Sequence, residues 1–158
     1  MSIRHRLFST AGVTLIELLV VISILSLLVS IALPSYSEHV ARARRADART
    51  QLLLAAQFMQ RFYAANDSYE TDRGGNSVRD QVPTSLSKSP ADSEAVYTLK
   101  IPVATLTRSS FEIQMEPVPT GPMAADKCGT FAINSVGVRT VIVGGISNNA
   151  SLRDSCWK

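Results

Sequence analysis

The sequence predicts an α+β fold in which one long N-terminal helix packs on a roughly four-stranded antiparallel sheet. Three observations predict this fold: an apolar run over residues 13–33, an apolar stripe at helical spacing over residues 41–64, and four strand-like segments after residue 95. Periods of about 3.6 and 2 residues distinguish the helical part from the extended part. The chain beyond the apolar run is long enough for one hydrophobic core of ordinary size.

The apolar run contains one charged side chain, Glu17. Its 21 residues would form a helix roughly 31 Å long, which matches the hydrocarbon thickness of a bilayer. A carboxylate inside such a segment costs up to about 3 kcal/mol, so it requires water or a cationic partner. We therefore expect residues 13–33 to span a membrane and Glu17 to have a designated cation as its partner.

Beyond the membrane segment, the helix is expected to continue to about residue 65, on the order of 80 Å in total. Strong helix formers fill residues 41–64, and their apolar members recur on one side. The stripe consists of Leu52, Ala55, Met59 and Phe62, flanked by Ala56 and Tyr63. The opposite face is predicted to be polar and to include Arg42, Arg45, Arg49 and Gln60.

Pro34 lies within the predicted helix, where it removes a backbone donor and crowds the carbonyl of Ser30. A kink is therefore expected at Pro34. Ser23, Ser26 and Ser30 line one side of the membrane segment at spacings of three and four residues. Two interpretations stay open: a face for close helix packing, or serines that bond to their own helix carbonyls.

Four arginines follow the membrane segment: Arg42, Arg44, Arg45 and Arg49. We favour a solvated or headgroup-facing collar over a nucleic-acid site, because Arg44 and Arg45 project differently from Arg42 and Arg49. Without residues 1–12, the chain has 14 basic and 13 acidic residues. A net charge this close to zero does not require an anionic partner.

Residues 66–94 are polar and rich in turn formers, which predicts a long connecting loop. Strand signals follow at 95–101, 110–115, 129–134 and 138–143. A short turn at residues 135–137, ending in a glycine, joins the last two segments as a hairpin. The pattern indicates an antiparallel meander.

Catalytic and metal-binding patterns are scarce, and we expect no enzyme, metal site or cofactor. His5 and His39 are the two histidines of the sequence, which leaves the outer domain without a base for a nucleophilic triad. Asp67, Glu70 and Asp72 lack the spacing of a calcium loop and indicate a solvated turn. The glycine pairs at 74–75 and 144–145 lack the other residues of a phosphate-binding loop.

Cys128 and Cys156 are an even pair late in a small domain, which favours a disulfide in an oxidising compartment. Closure of a loop of about 28 residues would contribute roughly 3.5 kcal/mol in the loop-entropy model. Two buried thiols are the alternative. Positive charges on both sides of the apolar run leave its orientation undecided, and the cysteines favour a C-terminal domain outside the cytoplasm.

The start of the chain resembles the class III leader of type IV pilins: Gly12 is followed by Val-Thr-Leu-Ile-Glu-Leu, an apolar helix and Pro34-Ser35-Tyr36. The resemblance implies that a prepilin peptidase cuts between Gly12 and Val13 and methylates the amine of Val13. It also implies that Glu17 recognises this amine on a neighbouring subunit during assembly. Most members begin the mature chain with Phe, and this one begins with Val13.

Further similarity, scattered over most of the chain, is to the PilE-type minor pilins. It rests on residues 44–48 and 60–69, on Cys128-Gly129-Thr130 and on Cys156-Trp157. It implies a minor subunit that helps prime or cap pilus assembly and supports adhesion, twitching motility or DNA uptake. The implied partners are other major and minor pilins, the prepilin peptidase and the inner-membrane assembly machinery.

Two alternatives belong to other functional classes. A type II secretion pseudopilin would have the same leader and Glu17, but a disulfide loop is uncommon in pseudopilins. A DNA-binding uptake receptor has weak electrostatic support, because residues 41–158 carry 14 basic and 11 acidic groups, with four arginines near the membrane. An ordinary signal peptide or a plain single-pass anchor would leave Gly12 and Glu17 unexplained.

These expectations divide the chain into a leader (1–12), a transmembrane assembly half-helix (13–40) and a soluble headgroup (41–158). The headgroup consists of an amphipathic helix (41–65), a loop (66–94) and a sheet with the cysteines (95–158). We expect a single pass through the inner membrane with the N-terminus cytoplasmic and the C-terminal domain periplasmic. A location in the cell-surface pilus follows assembly.

Overall fold

The computed structural model of the protein describes residues 12–147 and 150–158, so the predicted leader before Gly12 lies outside the described residues. The described chain forms two compact units, which divide between His39 and Val40. The first element, α1 (Leu15–Asn66), is a helix of 52 residues. It begins and ends within two residues of the predicted bounds, because the helical periodicity is strong through most of its length.

The unit that ends at His39 consists of the first part of α1 and the residues before it. This helix is long and apolar enough to cross a membrane, and none of its most apolar 18-residue window is buried within the protein. Large side chains such as Leu15 and Ile31 are exposed over 77% and 70% of their surface. A soluble environment would penalise so much exposed apolar surface, so this unit requires lipid or other subunits as its cover.

The unit that begins at Val40 contains a six-stranded antiparallel sheet in which sequence neighbours pair throughout, in the order β1 to β6. The strands are β1 (Lys88–Ser89), β2 (Tyr97–Lys100), β3 (Glu112–Pro117), β4 (Thr130–Asn134), β5 (Arg139–Val143) and β6 (Ile146–Ser147). Among the described residues, this unit also contains two short helices, α2 (Val78–Gln81) and α3 (Ala150–Cys156), and 3-10 turns at Thr84–Leu86 and Val103–Thr105. The predicted meander and α+β class are confirmed.

One hydrophobic core joins α1 to the sheet. The predicted stripe is buried: Leu52, Ala55, Met59 and Phe62 belong to the core cluster. The inward face of the sheet contributes alternate residues of its central strands, as the pleat requires. These are Ile113 and Met115 of β3, Phe131 and Ile133 of β4, and Val141 of β5.

The sheet has six strands, and the prediction of four missed the two at its edges. Both β1 and β6 are two residues long, too short for an alternating pattern to be visible. The predicted loop at residues 66–94 also has more regular secondary structure than expected, since it contains α2 and β1. The helix α3 was not predicted either, because its seven residues have no apolar periodicity.

The close approach of β5 to Gly129 explains why the Cys-Gly-Thr motif has a glycine at this position. Gly129 has a φ of 55°, and a Cβ atom at this position would lie 2.4 Å from the carbonyl oxygen of Ile142. Any side chain would therefore be strained by its backbone and would clash with β5. The glycine allows β4 to begin beside β5 immediately after Cys128.

Candidate functional site

The N-terminus of α1 is capped by Thr14, whose Oγ1 accepts a hydrogen bond from the backbone N–H of Glu17 at 3.3 Å. Glu17 occupies the third position of the helix, so Thr-x-x-Glu has the spacing of a capping box. A carboxylate in the first turn is also stabilised by the helix dipole. The sequence analysis did not identify this Thr14 cap, to which Glu17 contributes its backbone N–H.

Gly12 and Val13 precede this cap and are exposed, with 71% of the surface of Val13 accessible. The structure brings Val13, Thr14 and Glu17 together at one helix end. A cationic amine at Val13 and the carboxylate of Glu17 would both be available to groups on other molecules. Cleavage, methylation and assembly at these residues stay predictions.

The serines of the membrane segment bond to their own helix. The hydroxyls of Ser23, Ser26 and Ser30 donate to the carbonyl oxygens of Val20, Ile22 and Leu27 at 2.7–2.8 Å. This geometry satisfies the hydroxyls without a partner helix, as the second interpretation predicted. Their small size still leaves room for a close helix neighbour.

The helix α1 continues through Pro34. The Ser37 hydroxyl donates to the carbonyl oxygen of Pro34 at 2.9 Å. The kink expected from the missing backbone donor stays a prediction.

The predicted polar face of α1 is wrong at Arg45, which is buried. Its guanidinium forms an ion pair with Asp126, in which Nη2 lies 2.6 Å from Oδ1, and the two side chains are 8% and 5% exposed. Nε also contacts both carboxylate oxygens at 3.0 and 3.1 Å. Arg45 lies three residues before buried Ala48, so it belongs to the buried side of the helix. A solvated collar therefore does not include it.

The side chain of Arg49 also binds groups of the protein, at the C-terminal end of the chain. Its Nη1 donates to the carbonyl oxygen of Cys156 at 2.9 Å and to a main-chain oxygen of Lys158. Burial, and secondly the charge of Arg45, lower the pKa of Arg49 from its usual value. Two of the four predicted collar arginines thus bind groups of the protein itself: Arg45 binds Asp126, and Arg49 holds the C-terminal segment to α1.

The predicted disulfide is present between Cys128 and Cys156, with a Cα–Cα distance of 5.8 Å. It joins the start of β4 to α3, and both half-cystines are buried. The backbone N–H of Cys128 donates to Oδ2 of Asp126 at 3.0 Å. The carboxylate that pairs with Arg45 therefore also fixes the residue before β4, a connection that spans 81 residues of sequence.

Trp157 follows the disulfide and lies partly buried against the sheet. Its Nε1–H donates to the carbonyl oxygen of Thr140 at 3.1 Å, and its ring meets Phe131 edge-on at 5.6 Å. The guanidinium carbon of Arg139 lies 5.2 Å from the ring centroid, within cation–π distance. We name the surface around this ring the Trp157 patch, formed by Gly137, Val138, Arg139, Arg153, Asp154, Trp157 and Lys158.

Tyr97 is a buried polar residue that sequence reasoning missed. Its hydroxyl has no hydrogen-bond partner within the described part of the chain. Burial, followed by the nearby charge of Asp126, raises the pKa of Tyr97 well above its usual value. The side chain therefore stays neutral beside the Arg45–Asp126 pair.

Asp72 forms a turn, as the sequence analysis indicated for the acidic residues in this region. Oδ1 of Asp72 accepts from the backbone N–H groups of Gly74 and Asn76, both at 2.8 Å, and Oδ2 accepts from the side chain of Asn76 at 3.0 Å. The hydrogen bonds from Asn76 are the main cause of a lowered pKa of Asp72. Over residues 12–147 and 150–158, no three His, Cys, Asp or Glu side chains cluster closely enough to hold a metal ion.

Two known protein families match parts of this sequence and define the class of protein. Residues 8–33 match the prokaryotic N-terminal methylation motif, which agrees with the capped, apolar start of α1 and with a prepilin precursor. Residues 34–132 match the family described as type IV minor pilin ComP, DNA uptake sequence receptor. The chain belongs to this family of type IV minor pilins, and the expected resemblance to type IV pilins is confirmed.

Membership in a pilin family implies association with other pilins and processing of a prepilin. The motif and the apolar helix fit anchoring in the inner membrane, followed by assembly into a pilus at the cell surface. The family consists of structural subunits. Its match favours a pilin over the type II secretion pseudopilin that the sequence left as an alternative.

The individual proteins that are similar to this chain match it at low identity or over part of its length. A type IV major pilin protein PilA from Myxococcus xanthus is 34% identical over 58 residues, which cover 37% of this chain and 26% of that relative. The chain thus spans about a quarter of the length of this curated relative. Among solved structures, the non-core minor pilin PilV of Neisseria meningitidis is 18% identical, with a TM-score of 0.46 over 70% of this chain and 88% of that one.

A type IV pilin from Shewanella oneidensis is also similar. It is 28% identical, with a TM-score of 0.40 over 62% of this chain and 88% of that one. The family membership stated above follows from the family match to residues 34–132.

Proposed function

We propose that this protein is a low-abundance pilus subunit that helps prime or cap assembly and so supports adhesion, twitching motility or DNA uptake. The observation that carries the proposal is the uncovered apolar half of α1, with Glu17 at its capped N-terminus. Such a helix is completed by lipid before assembly and by the helices of other pilins afterwards.

In the proposed mechanism, prepilin peptidase cuts the inner-membrane precursor between Gly12 and Val13 and methylates the new amine. Methylation keeps the amine cationic. Since an uncompensated charge among apolar helices is costly, the amine pairs with the carboxylate of Glu17 on a neighbouring pilin. This pairing sets the axial position of the incoming subunit, which the inner-membrane assembly machinery then adds to the filament.

The leading test is mass spectrometry of the protein from sheared surface filaments and from inner membranes. We expect a chain that begins with methylated Val13 in both fractions, in trace amounts relative to a major pilin in the filaments. An intact Met1 terminus confined to membranes would contradict the proposal. Mature protein that never reaches the filaments would contradict the pilus role and support a pseudopilus.

A Gly12→Val variant provides the matched control for the cleavage site. It places a branched side chain at the proposed scissile bond and leaves every residue of α1 unchanged. We expect uncut precursor in the membrane and none in the filaments. Fully mature Gly12→Val protein in normal filaments would disprove the assignment of Gly12.

A second candidate function is reception of DNA, which the description of the matched family names. The observation that favours it is the Trp157 patch, a shallow cavity of about 420 Å³. Arg139, Arg153 and Lys158 supply cations for phosphate contacts, and a partly exposed indole is suited to stacking on a base. Asp154 reduces the local charge, since it pairs with Arg153 at 2.8 Å.

The four arginines that follow the membrane segment contribute less to such a surface than their number suggests, because Arg45 and Arg49 bind groups of the protein itself. A DNA site would therefore depend on the Trp157 patch. We would measure retention of the full chain, in detergent micelles, on duplex DNA over a range of salt concentrations.

If the patch binds DNA, affinity falls steeply with salt, and Arg139→Gln reduces the slope of log K against log salt by about 1. The matched control is Arg61→Gln, an exposed arginine of α1 outside the patch. Weak or salt-insensitive binding would contradict the DNA role and leave the structural role unaffected.

A further inference from the structure

Two arginines of α1 each hold the segment that carries one half-cystine. Arg45 pairs with Asp126, whose carboxylate also accepts from the backbone N–H of Cys128. Arg49, four residues further along α1, donates to the carbonyl oxygen of Cys156 at 2.9 Å. Through charged side chains, the helix thus contacts Cys156 directly and Cys128 by way of Asp126.

The spacing of the two arginines makes this arrangement specific. Residues four apart lie on the same side of a helix, where two like charges repel each other. The charge of Arg45 is indeed one cause of the lowered pKa of Arg49. The repulsion is offset because the two guanidinium groups reach different acceptors, a buried carboxylate for Arg45 and main-chain oxygens for Arg49.

The contacts of both arginines are made to groups other than sulfur, so none of them requires the disulfide to exist. In the dithiol form, the cysteines are 28 residues apart in sequence, and a flexible segment of that length brings its ends together only rarely. Docking of both ends on one helical turn would raise the local concentration of one thiol near the other.

We propose that Arg45 and Arg49 are positioning residues for disulfide formation, which dock the Cys128 and Cys156 segments on α1 before the bond closes. This role goes beyond that of a pilus subunit, and it does not depend on DNA binding. The same contacts keep the C-terminal segment in place when the bond is reduced.

The reaction needs a disulfide oxidant, either a protein or a small molecule such as oxidised glutathione. One cysteine thiolate attacks the oxidant, forms a mixed disulfide and releases one thiol of the oxidant. The second cysteine thiolate then attacks the protein sulfur of that mixed disulfide and releases the other thiol. The protein loses two protons and two electrons, and the oxidant gains the electrons. The arginines act on the second, intramolecular step.

The test is an equilibrium of the full chain, in detergent micelles, with defined mixtures of reduced and oxidised glutathione. A maleimide reagent traps the free thiols, and a gel separates the dithiol from the disulfide form. Without the charge-assisted hydrogen bond of Arg49, the Cys156 segment of the dithiol form should undock, whereas the disulfide still holds this segment in the oxidised form. We therefore expect Arg49→Met to lower the equilibrium constant for disulfide formation by about tenfold. Arg49→Lys, which keeps a cationic donor, should recover part of this loss.

The matched control is Arg44→Met, which removes a neighbouring arginine and should leave the equilibrium constant within about twofold of wild type. A contribution of Arg49 to stability alone would affect the reduced and oxidised forms equally and leave the constant unchanged. A wild-type constant for Arg49→Met would therefore overturn the proposal. Arg49→Met also leaves the buried Arg45–Asp126 pair intact, so the test stands even if Arg45→Met does not fold.

A denatured control separates docking from intrinsic thiol chemistry. In concentrated guanidinium chloride the docking contacts are lost, and we expect the same equilibrium constant for wild type and every variant. A difference that persists between unfolded chains would overturn the proposal, because it would show an effect that does not require the helix.

Trp157 is the single tryptophan of the sequence and offers a second measurement. In the docked C-terminal segment its ring packs edge-on against Phe131, and undocking would expose the ring to the quencher. In the reduced wild-type chain, we expect acrylamide quenching of Trp157 fluorescence to stay close to that of the oxidised chain. Reduced Arg49→Met should be quenched about as strongly as unfolded protein. Strong quenching in the reduced wild type would contradict docking without the bond.

Discussion

The two units of the chain, which divide between His39 and Val40, differ in whether their apolar side chains are buried within the protein. In the first, large side chains such as Leu15 and Ile31 are left exposed, and polar groups such as the serines bond within the helix. In the second, apolar residues meet in a shared core, and the buried charge of Arg45 has an internal partner. The same helix supplies residues to both units.

This difference shows where each unit obtains its stability. The headgroup is completed by contacts within the chain, so substitutions there should act on folding. The N-terminal unit is completed by lipid or by other subunits, so substitutions there should act on assembly. Folding and assembly can therefore be measured separately in one protein.

The largest effect is expected at Glu17. Replacement by Val removes the proposed partner of a neighbour's amine but keeps α1 apolar, so incorporation into filaments should fall by at least about tenfold. The melting temperature of the headgroup should not change. Quantitative mass spectrometry of filament and membrane fractions measures the incorporation, and circular dichroism in detergent measures the melting temperature.

Glu70→Val, which removes an exposed carboxylate of the headgroup, is the control for the Glu17 variant. It should leave incorporation unchanged. Equal amounts of Glu17→Val and wild-type protein in filaments would remove the distinction between the two units at this residue.

The second largest effect is expected in the core. Leu52 is fully buried, and Leu52→Ala should lower the free energy of unfolding of the headgroup by about 2–5 kcal/mol, because it leaves a cavity. Leu54, two residues away on α1, is 40% exposed and is the matched control. Leu54→Ala should cost less than about 1 kcal/mol. Denaturant unfolding in micelles measures both, and equal losses would contradict the assigned core.

A pH effect is expected in the turn around Asp72. Its pKa lies below the usual value of aspartate because the ionised carboxylate accepts hydrogen bonds, chiefly from Asn76. The turn is therefore supported at pH values above that usual pKa, and the support is lost as the pH falls through the lowered pKa. Carboxyl NMR should find the titration of Asp72 below the usual range. Asn76→Ala should shift it upward, and an unchanged midpoint would contradict this account.

The smallest effect is expected at Ser26. Its hydroxyl is satisfied by Ile22 within the same helix, so Ser26→Ala should change incorporation into filaments by less than about twofold. Ser26→Leu tests the alternative role of a small residue in close packing. If Ser26→Ala reduces incorporation as much as Ser26→Leu does, the hydroxyl itself bonds between subunits.

The sequence was sufficient for the parts of the fold that repeat. The sequence predicted the apolar stripe of α1, which includes Leu52, Ala55 and Met59, and the four central strands. In each of them, apolar residues recur with the period of a helix or of a strand. The edge strands β1 and β6 and the helix α3 are short, and tertiary contacts hold them. Their residues alone provide no signal of comparable strength.

Arg45 shows why part of the site escaped prediction. It was predicted on the polar face because its charge favoured solvent, although its spacing of three residues from Ala48 is that of the buried side. Its partner Asp126 is 81 residues distant, and a single sequence does not reveal such a pair. The spacing was the more reliable signal, because a buried cation is tolerated where a carboxylate meets it. By contrast, Gly12 and Glu17 lie in a local motif that one sequence displays in full.

The Thr14 cap has a consequence for the charge of a whole filament. Every helix of this kind presents the positive end of its dipole at its start, and cleavage before Val13 would add a cationic amine beside it. If many such ends were crowded along one axis, their mutual repulsion would grow with each added copy. Because Glu17 lies in the first turn of the same helix, each subunit would bring its own counter-charge, and charge would not accumulate as the filament lengthens.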